Sequence, residues 1–301
     1  MRVALTGATG FIGRYIARRL AAAGHEVKCW YRPTSDRDGL DADQEKIKWV
    51  PGELGNAGSV RSLVSGCDVL VHAALYRVGP GFRGGEGDLP EFVRKNVVQT
   101  IELFEAARAN RVSRIIFIST CAVHEKILDD RALDETHPLW PTTFYGAHKA
   151  ALEKFIHAYG YGVGYPICAL RPVGVYGLAH PAQQSKWYEI VQSVVRGEDV
   201  HCDRGGKEVH ADDVAKAVEI LLEADGIAGE AYNCCDGYIS HHEVATLAKH
   251  LARSKSGITG GPTKPKHQIS TDKLEALGMK FGGDDRVRET VRQLVDAIGA
   301  T

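Results

Sequence analysis

The sequence predicts an α/β fold in which a doubly wound parallel sheet is joined to a smaller C-terminal lobe. Three observations lead to this prediction. Short strands alternate with helical segments from the first residues onward, several strands are continuous apolar runs, and a glycine-rich turn joins the first strand to the first helix. Such alternation is typical of βαβ units, and uninterrupted apolar strands are expected where helices cover both faces of a parallel sheet.

Six strands are expected before residue 173, with amphipathic helical patterns between most of them. The first helix should end at Gly24, since glycine readily takes the left-handed conformation that closes a helix. The predicted strands are residues 2–6, 25–32, 47–54, 67–74, 114–120 and 165–172. The predicted helices lie near residues 14–24, 57–65, 89–110 and 145–159.

The regular alternation is lost after Pro172. Helices near 184–196, 211–224, 240–252 and 285–298 alternate there with short strands such as "EAYNCC". The glycine- and proline-rich segment 254–266 predicts a mobile loop. We expect a dinucleotide-binding domain formed by residues 1–172 with about 207–237, and a substrate-binding lobe formed by about 173–206 and 238–301.

Composition excludes several classes of protein. With 301 residues, 44% of them hydrophobic, the chain can bury a full core, and its net charge of −1 does not favour nucleic acid or an anionic membrane. Seven scattered cysteines without C-x-x-C spacing indicate neither a disulfide framework nor a zinc site. No leader peptide or apolar run of bilayer length is apparent. We expect a cytoplasmic protein with a small-molecule substrate and no metal.

The turn "TGATGFIG" carries glycines at positions 7, 10 and 13 and includes Thr9, Phe11 and Ile12. In such a turn the first glycine allows a tight bend, the second lets the backbone approach a pyrophosphate, and the third lets helix and strand pack closely. The helix N-terminus then offers free N–H groups to the phosphates. The spacing differs from G-x-G-x-x-G, but its position at the first strand–helix junction predicts a dinucleotide site in a Rossmann-like fold.

The end of the second strand bears on the choice of dinucleotide. NAD enzymes usually carry an acidic residue there, whereas this chain has Tyr31 and Arg32, with no carboxylate before Asp36. A guanidinium can bind a 2′-phosphate through two N–H groups, and Arg14 could reach the same phosphate. The prediction is NADP, with NAD as the alternative; the alternative for both arginines is ordinary solvation.

The stretch "TFYGAHKAALEKF" places Tyr145 four residues before Lys149 in a helical pattern. Residues at this spacing project from one face of a helix. The spacing is common by chance, so it becomes informative only together with other motifs.

Six motifs occur in a fixed order along the chain: "TGATGFIG", "GEL" at 52–54, "VHAA" at 71–74, "NVVQT" at 96–100, "FISTCAV" at 117–123 and "YGAHK" at 145–149. Together they resemble the extended short-chain dehydrogenase/reductase family, the NAD-dependent epimerase/dehydratase group. The resemblance covers nearly the whole chain. Each motif alone is weak, whereas six in order are specific.

The resemblance implies a catalytic triad of Thr120, Tyr145 and Lys149. Tyr145 would be the general acid and base, and its pKa would have to fall by roughly 3 units to act near neutrality. Lys149 and the nicotinamide would favour the phenolate by charge proximity, and Lys149 would also bind the nicotinamide ribose. Thr120 would hydrogen-bond the reacting oxygen, with Ser119 as the alternative because only one of two neighbouring strand residues faces the site.

The same resemblance implies cofactor contacts beyond the glycine loop. Asn96 would lie near the nicotinamide, and Ala73 and Ala74 would line the cofactor with backbone. Glu53 and Leu54 follow the third strand at the adenine position, where the family usually has Asp in place of Glu53. The longer side chain of Glu53 puts that contact in question. The family also often forms homodimers through the helices near 89–110 and 145–159.

Departures from the family pattern narrow the reaction. Dehydratases of this family carry an Asp–Glu pair where this chain has Cys121 and Ala122, so elimination of water is not expected. Sugar-nucleotide enzymes of this family contact the diphosphate through an Asn and an Arg, which are here Gly174 and Gly206. Lys207 or Arg204 could substitute, but the contacts to a diphosphate are weakened. A smaller polar, sugar-like substrate is therefore at least as plausible as a nucleotide sugar.

Five positions are candidate substrate contacts, with ordinary surface or loop roles as the alternative: Ser119, His124, His180, Lys186 and Trp187. The leading hypothesis is an NAD(P)-dependent oxidoreductase that moves a hydride between nicotinamide and a hydroxyl or keto carbon. One alternative is a sugar or nucleotide-sugar epimerase that keeps its NAD tightly bound. Another is a non-catalytic dinucleotide sensor, which the intact Thr120, Tyr145 and Lys149 argue against.

Overall fold

The computed structural model describes residues 1–40, 45–79 and 85–299. The chain divides into two compact units, each formed by separate stretches of sequence. The first comprises Met1–Pro172, Val214–Cys234 and Ser270–Met279. The second comprises Val173–Asp213, Cys235–Ile269 and Lys280–Thr301.

The first unit contains a seven-stranded sheet in the order β3-β2-β1-β4-β5-β6-β10, and every neighbouring pair is parallel. Its strands are β1 Arg2–Thr6, β2 Glu26–Tyr31, β3 Ile47–Pro51, β4 Val69–His72, β5 Arg114–Ile118, β6 Ile167–Pro172 and β10 Ala231–Cys234. The predicted doubly wound fold is confirmed, since this order contains the 3-2-1-4-5-6 arrangement of such sheets. The carboxyl ends of the strands lie at one edge.

Helices cover both faces of this sheet. Ala4 and Leu70 pack in one apolar layer with residues of α2, α4 and α5, while the neighbouring residues Val3, Leu5 and Val71 are equally buried outside that layer. The helices are α1 Phe11–Ala22, α2 Ala57–Val64, α3 Leu89–Val93, α4 Gln99–Ala109, α5 Phe144–His157, α7 Ala211–Glu223 and α9 Asp272–Glu275. A π-helical turn, Arg94–Val98, joins α3 to α4 within the predicted helix 89–110.

The second unit has an apolar core of its own, in which Tyr176 and Trp187 pack with Val191, Val244 and Leu294. Its helices are α6 Tyr188–Val195, α8 His241–Ala252 and α10 Gly283–Gly299. Two small sheets complete it: β7 Gly174–Tyr176, β9 Gly205–His210 and β11 Gly237–Ser240 in the order β11-β9-β7, and β8 Val200–Cys202 with β12 Ile258–Gly260.

Three segments differ from the expected organisation. Segment 254–266 contributes β12, which pairs with β8 in parallel, so part of the expected loop is a strand. Residues 207–213 belong to the second unit because β9 pairs with β7 and β11. Residues 270–279 belong to the first unit, where Lys273 donates to the Ala231 carbonyl of β10. Within the described part of the chain, no helix is both long and apolar enough to cross a membrane.

Candidate active site

The glycine loop fixes the start of α1 against the sheet. Gly7 has φ +74°, and a Cβ there would lie 2.7 Å from the backbone of Ala73 and Ala74. A Cβ at Gly13 would lie 2.0 Å from the Gly7 carbonyl oxygen. Gly10 caps α1 and has no side chain, so the N-cap residue makes no side-chain hydrogen bond to the N–H groups of the first turn. These features fit a dinucleotide pyrophosphate held at a helix N-terminus.

A series of buried, hydrogen-bonded side chains holds the end of β4 next to this loop. Thr6 Oγ1 accepts hydrogen bonds from Ala73 N and Ala74 N, each at 3.2 Å, and lies 2.7 Å from His72 Nδ1. His72 Nε2 lies 3.1 Å from Thr100 Oγ1. Burial and the charge of Lys149 lower the pKa of His72 to about 3, so the imidazole is neutral near pH 7. The backbone at Ala73 and Ala74 is thereby fixed.

The arginines near the end of β2 have different roles. Arg14 is almost fully buried and donates to the backbone carbonyls of Thr9, Asp36 and Asp38. Arg14 therefore anchors the loop after β2 instead of projecting toward a ligand. The exposed Arg32 guanidinium has no hydrogen bond or ion pair within the described residues.

Arg37, which sequence reasoning did not single out, lies over the Tyr31 ring at the end of β2, 4.5 Å from its centroid. A basic residue a few positions after the second strand was the available signal. Arg32 and Arg37 are thus the two cations at this strand end that have no carboxylate partner within the described chain.

Asn96 fixes the loop that follows β4 through hydrogen bonds. Its Oδ1 accepts from Tyr76 N at 2.8 Å, and its Nδ2 donates to the carbonyl oxygens of Tyr76 and Phe92. The side chain is buried in the π-helical turn, so it positions the loop after Ala73 and Ala74. Glu53 is exposed and Leu54 partly buried at the carboxyl end of β3.

Thr120 and Tyr145 meet beyond the carboxyl end of β5. Thr120 begins the short helical turn Cys121–His124, where its Oγ1 accepts from Ala122 N at 3.1 Å. Burial raises the pKa of Tyr145, while a hydrogen bond with Thr120 and the positive charge of Arg77 oppose that rise. Arg77, in the loop after β4, was not foreseen from the sequence.

Lys149 is buried and is bonded to the backbone of β5. Its Nζ donates to the Ile118 carbonyl at 2.8 Å and lies 4.4 Å from the centroid of the Phe117 ring. Burial lowers the pKa of Lys149 to about 7, an effect that the carboxylate of Glu153 opposes.

Ser119 points away from Tyr145. Its hydroxyl donates to Glu153 Oε1 at 2.5 Å, and Glu153 forms a bidentate ion pair with Arg171 in which both side chains are 1% exposed. Arg171 also donates to His124 Nε2 at 3.1 Å. Burial and Arg171 lower the pKa of His124 to about 4. Ser119 and His124 therefore belong to a buried network and are not available to a substrate.

The start of α5 is positioned by hydrogen bonds and one glycine. Thr143 caps the helix by accepting from Gly146 N at 3.1 Å, and Glu125 accepts hydrogen bonds from Thr142 and Thr143. A Cβ at Gly146 would lie 2.6 Å from the Ala122 carbonyl oxygen. Gly146 therefore lets α5 approach the turn that follows Thr120.

His148 is a further neighbour of Tyr145, at 5.4 Å between ring centroids. It also packs edge-on against Phe92 at 5.0 Å. Burial and Lys149 lower its pKa to about 3, so it is a neutral packing group near pH 7. Its place within "YGAHK" was visible in the sequence, but its contact with the Tyr145 ring was not.

The three candidate substrate contacts in the second unit also differ from one another in burial and in bonding. Trp187 is 1% exposed and stacks on Tyr176 at 4.6 Å, so it is a core residue and no substrate contact. His180 is exposed. Lys186 Nζ donates to both carboxylate oxygens of Glu208, each at 2.5 Å. Glu208 was not singled out from the sequence.

The fold and the glycine loop define a dinucleotide-binding class of protein. The model of the NAD dependent epimerase/dehydratase family matches residues 3–235, and the chain belongs to that family. The predicted resemblance is therefore confirmed.

Curated relatives of several activities are similar to the chain. A trifunctional UDP-glucose 4,6-dehydratase/UDP-4-keto-6-deoxy-D-glucose 3,5-epimerase/UDP-4-keto-L-rhamnose-reductase of Arabidopsis thaliana is 29% identical, over 96% of this chain and 46% of the relative. A dTDP-glucose 4,6-dehydratase of Streptomyces niveus is 29% identical, over 89% of this chain and 83% of the relative. The chain spans less than half the length of the Arabidopsis relatives, at 39% and 46%.

Solved structures are similar over the full length of the chain. The UDP-glucose 4-epimerase of Thermus thermophilus, in complex with NAD, has a TM-score of 0.78 and 24% identity and covers 100% of both chains. The UDP-glucuronic acid 4-epimerase of Bacillus cereus, in complex with UDP-glucuronic acid and NAD, has a TM-score of 0.80 and 21% identity, over 100% of this chain and 99% of that one. At these identities the likeness establishes the fold.

The family membership confirms the prediction of an enzyme of the NAD-dependent epimerase/dehydratase type. The family and its relatives include epimerases, dehydratases and reductases. Membership therefore leaves the particular reaction, the substrate and the choice between NAD and NADP open.

Proposed function

We propose that the chain is an NAD(P)-dependent dehydrogenase or reductase that interconverts a hydroxyl and a keto carbon on a small, polar, sugar-like substrate. The observation that carries the proposal is the pairing of Thr120 with Tyr145 at the carboxyl edge of the sheet, the edge that also holds the glycine loop. In open α/β sheets this edge binds ligands. When bound, the nicotinamide supplies or accepts the hydride.

The residues of this chain handle the proton and the orientation. Tyr145 donates the hydroxyl proton to a keto oxygen, or removes it from an alcohol, and Thr120 hydrogen-bonds the same oxygen. Burial raises the pKa of Tyr145, whereas Thr120 and the positive charge of Arg77 lower it toward the range that proton transfer near neutrality requires. Lys149 supports α5 against β5 through its hydrogen bond to the Ile118 carbonyl.

We propose NADP as the preferred cofactor. Arg32 and Arg37 follow β2 where an NAD enzyme usually has a carboxylate, and Arg14 fixes their loop through the carbonyls of Asp36 and Asp38. A guanidinium that lacks a carboxylate partner is suited to bind a 2′-phosphate. Removing the charges of Arg32 and Arg37 should reduce NADPH affinity while leaving NADH affinity little changed.

The alternative is an epimerase of sugars or nucleotide sugars, in which the hydride returns to the opposite face of a keto intermediate. The activities of the relatives support this alternative. Dehydration is not proposed, because Cys121 donates to the Arg171 carbonyl and Ala122 offers no acid or base.

Identifying the dinucleotide that the protein releases separates the two reactions. Freshly purified protein is denatured, and the released nucleotide is identified by mass spectrometry. Stoichiometric NAD would favour the epimerase and contradict the proposal. An empty site that titrates more tightly with NADPH than with NADH would support a reductase that exchanges its cofactor in each turnover.

Tyr145→Phe tests the role of the phenol directly. It should lower kcat by roughly a hundredfold to ten-thousandfold, the usual contribution of a positioned general acid, while cofactor affinity is retained. Tyr159→Phe is the matched control, since this tyrosine follows α5 and packs against Phe104. Full turnover by the Tyr145→Phe variant would refute the mechanism.

A homodimer and a cytoplasmic location remain part of the proposal. Val98, 46% exposed, and Phe155, 44% exposed, project from the segments expected to form the dimer contact. Light scattering coupled to size-exclusion chromatography tests the assembly, and a monomer at micromolar concentration would contradict it.

A further inference from the structure

The second unit contains a glutamate whose burial calls for an explanation. Glu208 lies on β9 with its side chain 3% exposed, and both of its carboxylate oxygens accept from Lys186 Nζ. Within the described chain its carboxylate has no other hydrogen-bond partner. Burial raises the pKa of Glu208, against the effect of Lys186. The ion pair is therefore held at a cost in desolvation.

Two glycines make room for this pair. Gly174 of β7 pairs in register with Glu208, and a Cβ there would lie 2.5 Å from Lys186 Nζ and 2.6 Å from Glu208 Oε2. Gly206 lies on the same face of β9 as Glu208, two residues earlier, and a Cβ there would lie 2.5 Å from Glu208 Oε1. A side chain at either position would displace the ends of Lys186 or Glu208, so the pair in this arrangement depends on glycine at both positions.

The pair is chemically asymmetric. Lys186 uses two of its three N–H donors on Glu208, and its side chain is 34% exposed, so one donor faces outward. Its charge is balanced by the carboxylate at contact distance. A phosphate at this place would meet a carboxylate as well as an ammonium, whereas a neutral hydroxyl could accept from the free N–H without an unpaired charge.

The other cations nearby do not change this balance. His241, which feels the charges of Lys186 and Arg204, has its pKa lowered by burial and by those charges, so it is neutral near pH 7. Arg204 is 85% exposed and lies 4.0 Å from Asp203. Neither residue forms a desolvated site for an anion.

Gly174 stands two residues after the carboxyl end of β6, in the second unit that we assign to the substrate. We propose that the Lys186–Glu208 pair makes this part of the second unit select neutral, hydroxyl-bearing substrates and reject phosphate and diphosphate esters. The inference rests on the proposed function, since it specifies the substrate class of the same enzyme: uncharged polyols and hydroxy-ketones.

Glu208→Gln tests the proposal by a gain of binding. Glutamine has nearly the same shape but leaves the Lys186 charge unbalanced. By isothermal titration the wild-type protein should bind neither inorganic pyrophosphate nor UDP-glucose at millimolar concentration. Glu208→Gln should bind pyrophosphate roughly tenfold to a hundredfold more tightly than the wild type, the span of one hydrogen bond to a charged group. Adding Lys186→Met should abolish the gain.

Wild-type protein that binds pyrophosphate as tightly as Glu208→Gln, or a folded Glu208→Gln variant that gains no affinity, would overturn the proposal. If Glu208→Gln does not fold, the single variant Lys186→Met still tests the proposal. If it lowers affinity for UDP-glucose tenfold or more, Lys186 already holds a diphosphate and the proposal fails; unchanged titrations support it.

These titrations do not depend on turnover, and they are made with the dinucleotide present at saturation so that pyrophosphate cannot occupy the glycine loop. Failure of the Tyr145→Phe prediction would therefore leave their result standing. NADPH titration of each variant, followed by nucleotide fluorescence, reports separately on the dinucleotide-binding part of the proposed function.

Discussion

Glu153 in the first unit and Glu208 in the second are both buried glutamates with a cationic partner, but their surroundings differ. Glu153 binds the fully buried Arg171 and also accepts from Ser119, while Arg171 makes further bonds to His124 and the Glu135 carbonyl. Glu208 has a single cationic partner, and that partner is one-third exposed. The first pair is part of a saturated network, whereas the second keeps an open donor.

This difference indicates how a structural charge can be told from one that is available to a ligand. A buried network in which the donors and acceptors are satisfied fixes the backbone around it, here the stretch from Ser119 to His124 that carries Thr120. A pair with a remaining donor can still make contacts. Substitutions in the two pairs should therefore change the free energy of unfolding by different amounts, and equal changes would contradict the distinction between a structural and an available charge.

The largest effect on stability is expected for Glu153→Gln. It leaves Arg171 buried without a counter-charge, and breaking such a pair costs about 3–5 kcal/mol of the free energy of unfolding. Urea denaturation measures the loss. The matched control is Glu105→Gln on α4, whose exposed pair with Arg108 should be worth less than about 1 kcal/mol. Equal losses in the two variants would show that the Glu153 network is not essential.

A pH-dependent effect is expected from Lys149, which lies one turn before Glu153. Its pKa in the folded state is lowered from 10.5 to about 7. Between those values the unfolded chain binds more protons than the folded one, so stability should rise with pH, by at most about 1.4 kcal/mol per pH unit. Below pH 7 both states are protonated and the full cost of the buried charge is present.

Lys149→Met should remove this slope, so the variant gains most, relative to the wild type, at the acidic end. Lys154→Met, at an exposed position of the same helix, is the control that should keep the slope. Urea midpoints measured from pH 6 to pH 10 give the comparison. Parallel curves for Lys149→Met and wild-type protein would contradict a lowered pKa.

The smallest effect is expected for the stability of Glu208→Gln. Water can still solvate the ammonium of Lys186, so the loss should stay below about 1 kcal/mol, as for partly exposed ion pairs. A loss as large as that of Glu153→Gln would mean that both pairs are structural. Thermal unfolding of the two variants side by side measures the difference.

The parallel sheet could be predicted because several of its strands are continuous apolar runs separated by helical segments. The second unit could not be read in the same way, since β7, β8 and β12 have three residues each, too few to show a period. Their pairing depends on tertiary contacts: β12 forms because Ile258–Gly260 aligns with Val200–Cys202.

Site residues could be predicted from the sequence where the backbone geometry allows only one residue type. They could not be predicted where the packing of the fold determines which way a side chain faces. Gly7 and Gly13 can only be glycine in this arrangement, and the glycine spacing indicated as much. Sequence cannot tell whether a histidine or tryptophan faces a ligand or the core, and His124 and Trp187 both face the core. The role of Lys149 beside the phenol stays a prediction, and its hydrogen bond to the Ile118 carbonyl was not visible in the sequence.

The anchoring of Arg14 has a consequence for enzyme engineering. The phosphate turn is shaped by glycine backbone, and Arg14 holds the following loop through the main-chain carbonyls of Asp36 and Asp38. Exchanging the side chains of Arg32 and Arg37 therefore leaves these Arg14 bonds in place. The preference for NAD or NADP and the strength with which the dinucleotide is held can then be changed separately. A short graft at this surface stretch should be enough to convert the protein from one nicotinamide dinucleotide to the other.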